Sequence, residues 1–197
     1  GAVVGTSSLR REAQLKSIRP NVKIRALRGN LDTRLGKLDQ GEFDGILLAA
    51  AGLKRLGLIN RIAQYCDPEL MVPAVAQAAL GIECLAERHD LVEHLQCLMH
   101  LPTLLAVSAE RALAFELGGN CRVPLAAYAS WIGMRMQLKA CYQDQTGRLL
   151  RAETEAAVTS MDDAKALGRK AARILLDQGA IAWSSIHHSP WVSEASS

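Results

Sequence analysis

Three short apolar runs near the start of this chain are separated by two segments of helical spacing, and that alternation constrains the fold more than any other feature. Ala2–Val4 reads as a short buried strand. Leu9–Ile18 reads as a helix through Leu9, Ala13, Leu15 and Ile18, capped by Ser7 or Ser8 and ended by Pro20. Val22–Leu27 alternates like a strand, Arg28-Gly29-Asn30 is a turn, and Asp32 or Thr33 caps a helix that runs to Leu38 and closes at Gly41. Gly45–Ala50 is another continuous apolar strand, followed by Gly52 and a short basic helix, Leu53–Leu56. Strand, helix, strand, helix, strand is the order of a parallel α/β sheet.

The texture changes later. Met71–Pro73 is extended, and Val75–Arg88 has the apolar spacing of a helix. Asp90 caps a helix through His100, and Pro102 sits in the first turn of one that Gly118-Gly119 stops after Leu117. Val123–Trp131, Met134–Tyr142 and Leu149–Ala157 read as antiparallel strands, with a turn at Asp144–Gly147. Asp162 opens a last helix, Ala164–Gln178. A domain boundary is expected near residues 97–101, and residues 184–197 form a Ser-rich tail expected to be disordered. There is no internal repeat.

With 197 residues, 49% of them hydrophobic, the chain has enough material for one large domain or two small ones. No apolar run reaches the length of a membrane span. The first residue is Gly, and the chain enters a strand almost at once, so a piece of a longer protein is expected. The five cysteines are widely spaced and make no CxxC, which argues against a disulfide framework or zinc site and for a reducing, cytoplasmic setting. The histidines make no HExxH. Charge is uneven. Residues 1–60 hold 11 Lys/Arg against 5 Asp/Glu, while the remainder holds 12 against 15, so the first segment favours an anionic partner.

The ends of the three expected strands give that anion a place. Ligands of parallel α/β sheets bind at the carboxyl ends of the strands. The first strand ends at Thr6-Ser7-Ser8, where a helix begins with Arg10 and Arg11 in its first turn. Cations there oppose the helix dipole, and a bound anion reverses that penalty. The second ends at Arg28-Gly29-Asn30, with Arg34 one turn on, and the third is followed by Lys54 and Arg55. Arginine holds carboxylates and phosphates in bidentate fashion. One such end is explained by a helix cap and solvated side chains; three in register favour a binding site. No glycine pattern matches a P-loop, so a carboxylate ligand is favoured over a nucleotide. Two further stretches stand out. In "ERALAFELGGNCRVPLA", Cys121 sits beside Arg122 between two glycines and Pro124, where a neighbouring cation stabilises a thiolate. In "PAVAQAALGIEC", Gln77 is a lone amide in a run of small residues.

The runs "VGTSSLRR", "LRGNLDTRLGKLDQGEFDGILLAAAGLKRLGL", "PAVAQAALGIEC" and "ERALAFELGGNCRVPLA" resemble the porphobilinogen deaminase (hydroxymethylbilane synthase) family, in family order, over about residues 1–183. The resemblance implies a transferase of tetrapyrrole and haem synthesis. It joins four porphobilinogen units into hydroxymethylbilane, with release of ammonia, on a dipyrromethane cofactor attached by thioether to a cysteine, here Cys121. It implies that Thr6, Ser7, Ser8, Arg10, Arg11, Arg28, Gly29, Asn30 and Gln77 hold the cofactor. Arg10, Arg28, Arg34 and Arg55 would hold substrate, with Arg28 and Arg34 the most sensitive to mutation. The implied fold is a periplasmic-binding-protein-like α/β lobe at residues 1–72 and a segment at 73–98 belonging to domain one. A small α+β cofactor-attachment domain follows at 99–183, with a three-stranded antiparallel sheet.

The family's catalytic aspartate has no counterpart in this sequence, so no catalytic residue is assigned and the chain alone is expected to be inactive. The first part of the family's domain one also has no counterpart in this sequence, so residues 73–96, without that domain's sheet as a partner, are expected to expose or mispack apolar surface. Ala76 and Ala78 stand where the family has glycine, and Asn120 where it has a small residue. The implied partners are porphobilinogen and polypyrrole intermediates, with no nucleic acid, membrane or metal, in a protein monomeric at full length. A rival is a non-enzymatic carboxylate-binding module of the same lobe fold, with Cys121 unmodified. Another is an enzyme using Cys121 as a thiol nucleophile, for which the nearby sequence offers no histidine base. With 4% aromatic residues and no stacking motif, an RNA-binding surface is disfavoured.

Overall fold

A computed structural model describes residues 1–118 and 123–182. Its first sheet has strands β1 (Val3–Gly5), β2 (Lys23–Arg25) and β3 (Gly45–Ile46) in the order β2-β1-β3, all parallel. Helices α1 (Leu9–Ile18) and α2 (Leu31–Asp39) make the crossovers, and α3 (Ala50–Arg55) follows β3. The strands are shorter than their apolar runs suggest. Only Gly45 and Ile46 pair with β1, at Val4 and Gly5. The Leu47 N–H still donates to the Gly5 carbonyl, and the chain then turns into α3, which starts three residues earlier than expected.

Caps also differ from expectation. Asn30, rather than Asp32 or Thr33, caps α2 by accepting from the Thr33 N–H at 2.9 Å. Ser8 occupies the cap position of α1, but its side chain makes no capping bond.

The segment at 75–88 is not a helix. It runs as turns and irregular backbone, because Ala76 and Ala78 adopt φ of 58° and 72°, which no α-helix accommodates. Its apolar side chains stand in solvent, with Leu80, Ile82 and Leu85 at 88%, 59% and 72% exposure. The expected helix from Asp90 to His100 is α4 (His89–Leu95) followed by a 3₁₀ turn at Gln96–Leu98. Asp90 lies inside its first turn and pairs with Arg88 at 2.7 Å.

The main core belongs to the second half. Helix α5 (Leu101–Glu116), with Pro102 in its first turn, packs with α6 (Met161–Asp177) on an antiparallel sheet. That sheet is β4 (Leu125–Ile132), β5 (Arg135–Gln143) and β6 (Leu149–Ala157), in that order. Leu113, Met136, Leu138 and Leu175 are fully buried there, each stabilising the fold by about 1.5–3 kcal/mol. The two helices approach closely at Gly168, where a Cβ would lie 2.1 Å from the Ala109 carbonyl oxygen. Helix α6 begins three residues before its expected start, on a capping box. Ser160 Oγ accepts from the Asp163 N–H while the Asp163 carboxylate accepts from the Ser160 N–H. No helix among the described residues is long and apolar enough to cross a membrane.

One strap joins the halves. The buried Gln14 side chain, on α1, brackets Val72: its Oε1 accepts from the Val72 N–H at 2.7 Å and its Nε2 donates to the Val72 carbonyl at 3.0 Å. One residue on, the Pro73 carbonyl accepts from the Ala127 N–H on β4, and Glu69 pairs with Lys139 on β5. The strap is thus bonded alternately to the parallel lobe and to the antiparallel sheet.

Candidate functional site

The carboxyl ends of the parallel strands enclose a cavity of about 230 Å³ lined by Thr6, Ser7, Ser8, Arg10, Arg11 and Arg34. Backbone bonds knit its floor: the Thr6 N–H donates to Arg25 and the Leu47 N–H to Gly5. The three hydroxyls have separate roles. Ser7 Oγ donates to the Leu27 carbonyl at 2.9 Å and accepts from the Leu27 N–H at 3.0 Å, so it latches β1 to the loop after β2. Thr6 Oγ1 accepts from the Ser8 N–H at 3.2 Å. Ser8 Oγ is buried and has no hydrogen-bond partner among the described residues. A buried hydroxyl left unbonded costs about 1–3 kcal/mol, so it asks for a partner beyond the described residues.

Two of the guanidiniums are held by backbone carbonyls. Arg11 Nη1 donates to Leu47 at 3.1 Å, and Arg34 Nε donates to Gly29 at 2.8 Å. Burial, followed by the nearby charges of Arg10 and Arg34, lowers the Arg11 pKa from its ordinary value. Among the described residues no acidic side chain lines this cavity. Fixed, mutually repelling guanidiniums beside an unbonded hydroxyl at a helix N-terminus suit a ligand with several carboxylates.

A second cavity, of about 500 Å³, shares Arg10 and Arg11 with the first and is lined also by Cys66, Tyr65 and Gln77. Gln77 is exposed and turns back on its own loop, accepting from the Ala74 N–H at 3.3 Å. Arg28 and Arg55 are exposed and line neither cavity, while Gly29 and Asn30 serve α2 by holding Arg34 and capping the helix. Cys121, with Asn120 and Arg122, lies outside the described residues. Val123, two positions after the cysteine in the chain, is buried and lines the arginine cavity. Of the described cysteines, Cys141 is buried, and burial pushes its thiol up to about 12.

The residues flanking Gln77 are strained by conformation. Ala76 and Ala78, which stand where the family has glycine, both lie at positive φ. Such a backbone costs an L-residue about 1–2 kcal/mol relative to glycine, partly offset by glycine's greater entropy loss. Ala76→Gly and Ala78→Gly are each expected to raise stability by roughly 0.5–1 kcal/mol, read as a higher urea midpoint. A lowered midpoint would remove strain as the account of this loop.

Two buried polar side chains, Gln14 and Glu110, escape the sequence reading. Glu110 has Ala106, Val107, Leu113 and Ala114 around it on its helix face, and a charge among apolar neighbours is the signal that would have found it; Gln14 has Arg10, Arg11 and Ser17 on its face, so its sequence carries no such signal.

Comparison with known proteins places this geometry. A family model described as "Porphobilinogen deaminase, dipyromethane cofactor binding domain" matches residues 1–93, and one described as "Porphobilinogen deaminase, C-terminal domain" matches residues 104–177. The porphobilinogen deaminase of Ralstonia nicotianae is 53% identical over 182 residues, covering 91% of this chain and 54% of the relative. That of Paraburkholderia phytofirmans is 52% identical over 182 residues, covering 92% and 53%, and that of Albidiferax ferrireducens 51% identical over 174 residues, covering 87% and 55%. The chain spans about half the length of the curated relatives it matches.

Proposed function

The chain belongs to the porphobilinogen deaminase family, and we propose that it serves that family's reaction, the head-to-tail joining of porphobilinogen units into hydroxymethylbilane with release of ammonia. The observation that carries the reading is the buried Ser8 hydroxyl, unbonded among the described residues, beside Arg10, Arg11 and Arg34. A dipyrromethane bears several carboxylates, and this donor set, with no acid among the described residues lining its cavity, fits it. The cofactor supplies the primer on which the pyrrole chain is built.

In this reading Arg10, Arg11 and Arg34 hold acetate and propionate groups, and Ser8 Oγ donates to one of their oxygens. Thr6 and Ser7 keep the strand end in shape, as do Gly29 and Asn30 for α2. Arg28 and Arg55 are exposed cations that meet substrate approaching from solvent, and Gln77 faces the same ligand from the adjoining cavity. Cys121 holds the cofactor through a thioether. Val123, two positions after Cys121 in the chain, lines the arginine cavity and supports this reading. Proton transfer is assigned to no acid of this chain.

Residues 1–72 are read as a periplasmic-binding-protein-like lobe and residues 99–183 as the cofactor-attachment domain. Residues 73–98 are read as a crossover belonging to a separate domain one. The exposed Leu80, Ile82 and Leu85, uncovered by any described residue, support the last point. A non-enzymatic carboxylate-binding module would use the same arginines with a bare Cys121.

The intact mass of the protein as isolated, with peptide mapping around Cys121, separates the two. A dipyrromethane adduct on the Cys121 peptide is the expected result. A bare cysteine in protein that still binds polycarboxylates would overturn the enzymatic reading in favour of the module.

A further inference from the structure

We propose that Glu110 is a positioning residue that acts through the loop carrying Gln77. Its carboxylate is 5% exposed and spans two parts of the chain that meet only in the folded state. One oxygen accepts from the Ala76 N–H at 2.6 Å and the other from the Ala129 N–H, on β4, at 2.8 Å.

Strand β4 is the edge of its sheet, and its outward amides need acceptors from elsewhere. The Ala127 N–H finds the Pro73 carbonyl and the Ala129 N–H finds Glu110. Glu110 therefore continues the edge begun by the strap and ties Ala76, the residue before Gln77, to the cofactor-attachment half of the chain. Ala76 is held at positive φ, so the loop does not rest in this shape by local preference. The bond to Glu110 fixes the amide of that strained residue. Burial raises the Glu110 pKa, while the two N–H donors act in the opposite direction and stabilise the carboxylate.

A neutral side chain of the same shape cannot replace it. Glutamine has one acceptor oxygen, and its NH₂ would face an N–H donor. Glu110 touches neither cavity, so any effect on a ligand passes through the position of Gln77. That part rests on the function proposed above.

The test compares wild type with Glu110→Gln in the full chain. Backbone amide exchange at residues 74–79 is expected to quicken about 10-fold or more relative to the core of α5, the factor set by losing one hydrogen bond to a charged acceptor. The affinity for porphobilinogen, a pyrrole dicarboxylate, is expected to fall about 10–100-fold, as misplacement of a binding group does. Adding Gln77→Ala should lower it no further than Gln77→Ala alone, because both changes disable one unit. Glu110→Asp, which keeps the charge but shortens its reach, replaces the amide variant if that fails to fold, with the same expectations.

Exchange at 74–79 that merely tracks the core, or losses that multiply in the double variant, would overturn the proposal and leave Glu110 a stabilising residue only. Wild-type protein with a bare Cys121 peptide would sink the enzymatic function, while the exchange comparison would still decide whether Glu110 holds the loop.

Discussion

Arg11→Met is expected to weaken binding of porphobilinogen, a pyrrole dicarboxylate, by about 10²–10³-fold, while the stability of ligand-free protein changes by less than about 1 kcal/mol. Arg11, part-buried like Arg10 and Arg34, reaches across from α1 to the Leu47 carbonyl just after β3. Removing it leaves a ligand carboxylate in the cavity without its charge-assisted partner, and such a loss costs about 2–5 kcal/mol of binding.

Stability behaves differently because two effects oppose each other. The Leu47 bond is lost, but so are the burial of a charge and its repulsion by Arg10 and Arg34. A cation whose folded-state pKa is lowered disfavours the fold while it is protonated. The guanidinium is protonated in both folded and unfolded chains throughout the neutral range, so the penalty is constant there and the substitution lifts it. Solvent screening keeps that gain small. Thermal unfolding without ligand and a porphobilinogen binding titration together decide the matter: a large loss of stability with binding preserved would make Arg11 a structural residue and remove the anion site.

How far the sequence conveys the geometry at these strand ends differs from residue to residue. Arg10, Arg11 and Arg34 converge because three parallel strands end on one side, which local patterning conveys. Arg28 shares the second strand end but stands exposed in its turn, and Arg55 is exposed on a six-residue helix; a strand-end position alone does not say where a side chain points. Ser7 and Ser8 are adjacent hydroxyls with opposite fates, one spent on Leu27 and one left unbonded, a distinction set by a residue 20 positions away.

The run at 75–88 misleads because its small apolar residues have helical spacing and good helix propensity, while the loop is held by Glu110 and forced to positive φ. The antiparallel strands and α6 are legible since their alternation and amphipathicity report burial directly. What stays hidden is pairing across distance: Gln14 with Val72 and Glu110 with Ala76 join residues 58 and 34 positions apart.

The first of those pairs carries the second large effect. Gln14→Leu is expected to destabilise the chain by roughly 3 kcal/mol, seen as a lower urea midpoint at unchanged slope. The fully buried amide serves three backbone groups, the N–H and carbonyl of Val72 and the carbonyl of Arg10. Leucine fills similar space but leaves the Val72 groups buried without partners, at about 1–3 kcal/mol for each group left unsatisfied, offset in part by its own burial. Gln14→Glu separates hydrogen bonding from packing. The introduced carboxylate can accept from the Val72 N–H, but its second oxygen faces the Val72 carbonyl, so burial and repulsion raise its folded-state pKa above the unfolded value. A raised carboxylate pKa destabilises at neutral pH and is relieved as pH falls through the folded-state value, where the protonated oxygen donates to that carbonyl. The stability of Gln14→Glu relative to wild type should therefore recover on acidification, while that of Gln14→Leu should not. Parallel pH dependence of the two variants would show that the bracket on Val72 holds the strap by shape alone. Divergence would tie the joint between the arginine cavity and the antiparallel sheet to this one amide.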